Sequence, residues 1–160
     1  MMMGYNTKEH TLETFTMSAE NPDFIKRVEV FVDVCDQLLA KDILNWNYKM
    51  RQEGYKESIE VTQGKKYIKL IRNENGARSS LFGWIDMSNG DVLMGHTYNS
   101  PSASEKRNPR SNIWNGQYGT DCVSHYGVGY KGQKFNNYGY VLASVDNVEN
   151  GTTIKELNKD

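Results

Sequence analysis

Residues 64–113 read GKKYIKLIRNENGARSSLFGWIDMSNGDVLMGHTYNSPSASEKRNPRSNI, and this stretch decides the fold. In Lys66–Arg72 the residues Ile68 and Leu70 alternate with Tyr67, Lys69 and Ile71, the period-2 pattern of a strand. Asn75-Gly76 supplies the residues that tolerate φ > 0 in a tight turn, and Ser80–Ile85 follows as a second strand. Asn89-Gly90 is a second turn of the hairpin kind, and Asp91–Thr97 is the third strand. In the second strand Phe82 and Trp84 alternate with Leu81 and Ile85, which reads as core on both faces of a covered strand. Beyond Thr97 the alternation stops. A polar loop, Tyr98 to Ser111, carries Lys106, Arg107, Arg110 and two prolines, Pro101 and Pro109.

Working back from the sheet, Tyr55–Val61 is an edge-strand candidate. Asn21-Pro22-Asp23 is a helix start: an amide N-cap, a proline at the first position and an acid facing the helix dipole. Phe24, Val28, Phe31, Cys35, Leu38 and Leu39 fall at spacings of three and four, an apolar stripe that runs to about Ala40. The opposite face carries Lys26, Arg27, Glu29, Asp33, Asp36 and Gln37. Lys41–Gln52 continues this helix or forms a second one. The valines at 28, 30, 32 and 34 weaken intrinsic helix propensity, so packing must hold the helix.

Working forward, residues 115–140 contain six glycines and five tyrosines, which predicts irregular structure packed on the sheet. Val141–Val145 is a last strand candidate, and Asn150–Asp160 a polar tail. The expected fold is therefore α+β, an N-terminal helix or helix pair on an antiparallel sheet with a Gly/Tyr-rich C-terminal region. One domain spans 1–160: a flexible 1–20 with a short packed extension at Thr11–Phe15, helical 21–53, sheet and binding loop 55–113, irregular or β structure 114–145, and a tail 146–160.

Charge and chemistry narrow the function. The net charge of −1 gives no reason to expect a duplex nucleic-acid partner. Its distribution is uneven: residues 1–64 hold 7 basic and 11 acidic side chains, whereas 65–110 hold 8 basic and 4 acidic. An anionic ligand would favour the sheet and its loop. Cys35 and Cys122 form no disulfide framework and read as reduced, buried thiols. No apolar run is long enough to span a bilayer, so no membrane partner is expected and the protein should be soluble and intracellular. Gly127-Val128-Gly129 lacks the rest of a phosphate-binding signature. Cys122 and His125 form the one pair at metal-ligand spacing, and the preferred reading there is a polar histidine near a turn. Neither a metal nor a cofactor is expected, and a binding protein is favoured over an enzyme.

Tyr98 begins the basic loop, and Arg107, Arg110 and Asn112 share that region. An aromatic face, guanidinium groups and an amide together suit a nucleotide, with stacking for the base and charge-assisted bonds for phosphate.

Five segments in order carry a family resemblance: Lys66-Tyr67-Ile68-Lys69, Phe82-Gly83-Trp84-Ile85-Asp86, Gly90-Asp91-Val92-Leu93, Tyr98-Asn99-Ser100-Pro101 and Arg110-Ser111-Asn112-Ile113, with Tyr126-Gly127 as a sixth. The set, within Gly64–Tyr130, resembles the Thoeris anti-defence 1 family, phage-encoded sponge proteins. The resemblance implies binding of cyclic ADP-ribose isomers made by TIR-domain enzymes, without cleavage, in the cytoplasm of a host bacterium. It also implies self-association as a dimer-based hexamer, with cyclic di- or trinucleotides held at separate sites by some members. Carried onto this chain, it implies Tyr98 as the ring that stacks on adenine, Asn112 as the amide and Arg110 beside it, with Arg107, Pro101 and Tyr126 completing the candidate ligand residues. Lys49 and Arg51 are further candidates. The chain departs from the pattern in a longer loop between Pro101 and Arg110, in Tyr98 where Trp or Phe is usual, and in Ser111 where Gly is common. Rival readings are an inhibitor of a host enzyme acting by surface contact, a single-stranded nucleic acid binder, and a hydrolase of the same nucleotides.

Overall fold

A computed structural model describes residues 21–45, 54–130, 132–151 and 158–159, with the side chains of 43–45 and 158–159 left aside. The expectations for residues 1–20, for a helix over 46–52, and for Lys49 and Arg51 lie outside the described residues.

The first helix, α1, is Pro22–Asn45. The Asn21 side chain accepts from the Asp23 amide at 2.8 Å, and the Asn21 carbonyl accepts from Phe24 N–H at 2.9 Å, the expected N-cap. Five strands follow: β1 Glu57–Gln63, β2 Tyr67–Glu74, β3 Ala77–Asp86, β4 Asp91–Met94 and, after a short helix α2 (Ala103–Arg107), β5 Ser111–Asn112. A 3₁₀ turn at Thr120–Cys122 leads into a small hairpin, β6 Val123–Ser124 and β7 Gly127–Val128. Helix α3 is Tyr138–Glu149, and β8 is Asn158–Lys159. The main sheet runs β5-β4-β3-β2-β1-β8. Its first five strands are antiparallel, and α1 packs on them, so the fold is α+β.

The β2–β3 hairpin turns on Asn75 (φ 53°) and Gly76 (φ 84°), both left-handed as a primed two-residue turn requires. The second connection is a four-residue loop, Met87–Gly90, closed by Gly90 N–H on the Asp86 carbonyl at 2.8 Å; Gly90 takes the positive φ. Strand β4 stops at Met94, short of the expected Thr97. Within β3 the register slips between Leu70 and Ile71, leaving Phe82 bulged. The bulge turns Phe82 into the core cluster with Ile68, Leu70, Ile85 and α1, while Trp84 is buried outside that cluster. Simple alternation had put Phe82 and Trp84 on one face.

Two expectations are corrected. Val141–Val145 lies inside helix α3, not a strand. Val141, Val145 and Val148 recur at helical spacing and pack against Val30 and Val34 of α1, and Ser144 is buried on the same helix. The tail is corrected as well: Asn158 and Lys159 pair in parallel with Thr62 and Gln63, beyond β1. The supposed edge strand is thereby covered over two residues.

Helix α3 explains the valines of α1. The helix is buried on the sheet side by Phe24, Val28, Phe31 and Cys35 and on the other side by Val30 and Val34. Its second face is a polar seam, not a solvent face. Asp33 is 5 % exposed and accepts from Gln37 Nε2 (3.0 Å) and Asn147 Nδ2 (3.2 Å), while Gln37 also donates to Ser144 Oγ at 2.6 Å.

The Gly/Tyr-rich segment is held to this frame by side chain to backbone bonds and by Asp121. That carboxylate accepts from Ser111 Oγ, from Asn115 Nδ2 at 3.3 Å and from Lys134 Nζ at 3.2 Å. Burial alone would raise its pKa, but bonds from Ser111, Lys134 and Asn115 outweigh it and hold the group below its ordinary 3.8. A depressed carboxylate contributes stability above the unfolded pKa and loses it as pH falls through the folded one. Asp121→Asn is therefore expected to be less stable than the parent at pH 7, with the gap closing below about pH 3.8 in urea melts. A gap independent of pH would remove the ionic account.

Candidate functional site

The loop after β4 is fixed by one carboxylate. Ser102 caps α2 by accepting from Glu105 N–H at 3.1 Å, and Glu105 Oε1 accepts from Ser102 N–H at 2.7 Å, a reciprocal capping box. Glu105 is 6 % exposed and also accepts from His96 N–H at 2.8 Å, with the Thr97 hydroxyl 2.9 Å away. Pro101 is buried at the entry to this box. These bonds bracket Tyr98, which stands on the loop with 46 % of its surface exposed.

Beneath Tyr98 lies the sheet face opposite α1. Register pairs Lys69 with Trp84 and Trp84 with Leu93, one row of side chains across three strands. Lys69 Nζ is 4.3 Å from the Tyr98 ring centroid and 5.3 Å from that of Trp84. Tyr67 meets Trp84 edge-on at 6.2 Å, and Lys106 Nζ from α2 is 5.7 Å from the Tyr67 ring. Arg78 pairs with Glu60, its Nε donating at 2.9 Å; that pairing, then the nearby Tyr98 phenol, hold the guanidinium above its ordinary pKa. The result is an aromatic floor interleaved with cations.

The other sequence candidates are distributed differently. Asn112 is committed to the sheet end: its Nδ2 donates to the Asn89 carbonyl (2.9 Å) and to Asp91 Oδ1 (3.0 Å), and its Oδ1 accepts from Trp114 N–H (2.8 Å). Burial raises the Asp91 pKa, against the Asn112 bond that lowers it. Arg107 is exposed on α2 and makes no hydrogen bond or ion pair to a described residue. Arg110 donates to the Gly129 carbonyl at 3.1 Å, to the Asn108 carbonyl, and to Met94 Sδ at 3.4 Å.

Gly129 and Met94 also line a cleft of about 690 Å³, with Tyr126, Tyr130, Phe135 and His125 as its walls. Tyr126 thus lines this cavity, and Arg110 braces two of its lining residues without lining it. Tyr98 is on the opposite side of the sheet, because Met94 and Leu93 alternate and Leu93 belongs to the Trp84 row. His125 separates this cleft from a smaller one of about 310 Å³ that includes Lys41, Asp42 and Tyr140, and its Nε2 is 3.4 Å from Asp42 Oδ1.

Sequence reading missed Lys69, which joins Tyr98 to Trp84, and the approach of Lys106 to Tyr67. The alternation had already set Lys69 beside Tyr67 on one face; missing was the fold-back of the loop onto that face, which the Ser102-x-x-Glu105 box signals. Cys122 is excluded as a reactive group: burial, the largest cause, pushes its thiol up to about 12. Among the described residues no helix is long and apolar enough to cross a membrane.

An α+β domain with a cation-and-aromatic sheet face is what the geometry defines. The chain belongs to a family of unknown function, DUF7717, whose model matches residues 10–133 and so includes α1, β1–β7 and the Tyr98 loop. Comparison with curated proteins and with solved structures gives no match.

Proposed function

We propose that this protein is a phage anti-defence protein that binds cyclic ADP-ribose isomers, and cyclic oligonucleotides as well, without cleaving them. The observation that carries the reading is Tyr98, half-exposed on a braced loop with a lysine ammonium 4.3 Å from its ring centroid. A purine can stack on the open face of the ring while cations nearby meet phosphate. Sequestration requires affinity and protein in excess of the signal, not complementarity to a transition state. Such a protein would act in the cytoplasm of the host bacterium. Self-association belongs to the same proposal, and Tyr138 and Leu142, both exposed one turn apart on α3, offer it a surface.

The test is retention. Each cyclic ADP-ribose isomer is mixed with purified protein, free ligand is filtered away, and the heated protein is assayed by mass for what it releases. Intact nucleotide is expected, with about tenfold or greater loss of affinity in Tyr98→Ala if stacking contributes as it does at other base-binding surfaces. A chemically altered product would make the protein an enzyme. No retention of any isomer, together with salt-sensitive binding of oligonucleotides, would favour the single-stranded nucleic acid reading.

A further inference from the structure

Trp84 is 3 % exposed, and its indole Nε1 is buried with no hydrogen-bond partner among the described residues. A buried donor left unpaired is unusual in a folded protein and calls for an acceptor. Beside it in the cross-strand row stands Lys69, which makes no ion pair with a described residue and rests between the Trp84 and Tyr98 rings. The three carboxylates of this region are spoken for, Asp86 by the Ser88 N–H at 2.8 Å and the Ser88 hydroxyl at 2.7 Å. Glu60 is held by Arg78, and Glu105 by His96, Thr97 and Ser102. An uncompensated ammonium and an unpaired indole N–H thus share one row, under an aromatic ring at the surface.

We propose that Lys69 and Trp84 form an oxyanion subsite beneath Tyr98, which takes a phosphate of the nucleotide whose base stacks on that ring; the assignment of phosphate as the anion rests on the nucleotide reading above. Lys69 leaves the Tyr98 ring and turns its ammonium to the phosphate, and the indole N–H gains the acceptor it lacks. Both contacts are charge-assisted hydrogen bonds, stronger than the ring contacts they replace. Tyr98 must swing outward to admit the anion, which its position on a surface bend between Thr97 and Ser100 allows.

The experiment reads the indole directly. The sequence has three tryptophans, so the nitrogen-15-labelled protein gives three indole signals, and Trp84→Phe identifies one of them. Inorganic pyrophosphate is titrated at constant ionic strength, with sodium chloride as control. The Trp84 signal is expected to move saturably, the Trp114 signal to stay, and Lys69→Met to weaken the response about tenfold or more, with Lys69→Arg recovering part of it. A stationary Trp84 signal, or a Lys69→Met protein of unchanged fold that responds like the parent, overturns the subsite. Retention of cyclic ADP-ribose isomers is measured on the same samples. Retention with a stationary indole sinks the subsite and leaves the function standing. A moving indole without retention keeps the anion subsite and sinks the nucleotide function.

Discussion

Arg27→Met is expected to destabilise the protein by about 2–4 kcal/mol in urea unfolding, the sum of an orphaned Ile113 carbonyl, a bond lost at the Asn115 carbonyl, which keeps the Tyr118 N–H, and a lost cation–π contact. Arg27 Nη1 donates to the Ile113 carbonyl at 2.7 Å and the Asn115 carbonyl at 3.1 Å. The guanidinium lies 4.2 Å from the Tyr118 ring centroid and 5.4 Å from that of Trp114. Burial lowers its pKa, offset by Tyr118 and Asp23, so a cation has been kept in a place that disfavours charge. It bolts α1 to the segment that follows β5. Arg27→Lys should recover only a minor part, because one ammonium cannot match the planar group that serves two carbonyls and two rings. A loss under about 1 kcal/mol would show that the segment is held by its apolar contacts instead.

Asn137→Leu carries a comparable expectation, about 2–4 kcal/mol, for a different reason. Asn137 occupies the N-cap of α3 yet makes no capping bond with its side chain. The amide is turned inward, donating to the Thr120 carbonyl at 2.7 Å and the Val123 carbonyl at 2.9 Å. Thr120 and Val123 are fully buried, so no water replaces the lost donor. Leu fills nearly the same space and isolates the hydrogen-bond contribution from cavity formation. Near-UV circular dichroism should show the tyrosine environment of 118–140 loosening before the sheet melts. A single coincident transition with parental stability would mean that Asn137 merely occupies its site.

Both residues show where the sequence was hard to read. The β2–β3 hairpin and the start of α1 were legible because short-range chemistry decides them: Asn75-Gly76 for φ > 0, Asn21-Pro22-Asp23 for a cap. Helix α3 was not. Its valines favour strands by propensity, and Gly139 weakens a helix, so packing on α1 had to override both. The bulge at Phe82 is invisible to a period-2 argument, since one extra residue reverses the faces that follow. For the candidate ligand residues, sequence brought Tyr98, Arg107, Arg110 and Asn112 together by proximity along the chain. In the fold, Asn112 and Arg110 spend their polar atoms on the protein itself, while Tyr98 stands over Lys69, twenty-nine positions earlier.

The position of α1 between the sheet and α3 has a consequence for how the chain is made. Val30 and Val34 are shielded by Val141 and Val148, more than a hundred residues downstream. During synthesis, the helix and the hairpins can form from local contacts, but the outer flank of α1 stays bare until residues 141–148 leave the ribosome. Completion of this core is thereby tied to synthesis through Val148, which slows folding and leaves a sticky valine flank on any product cut short before it.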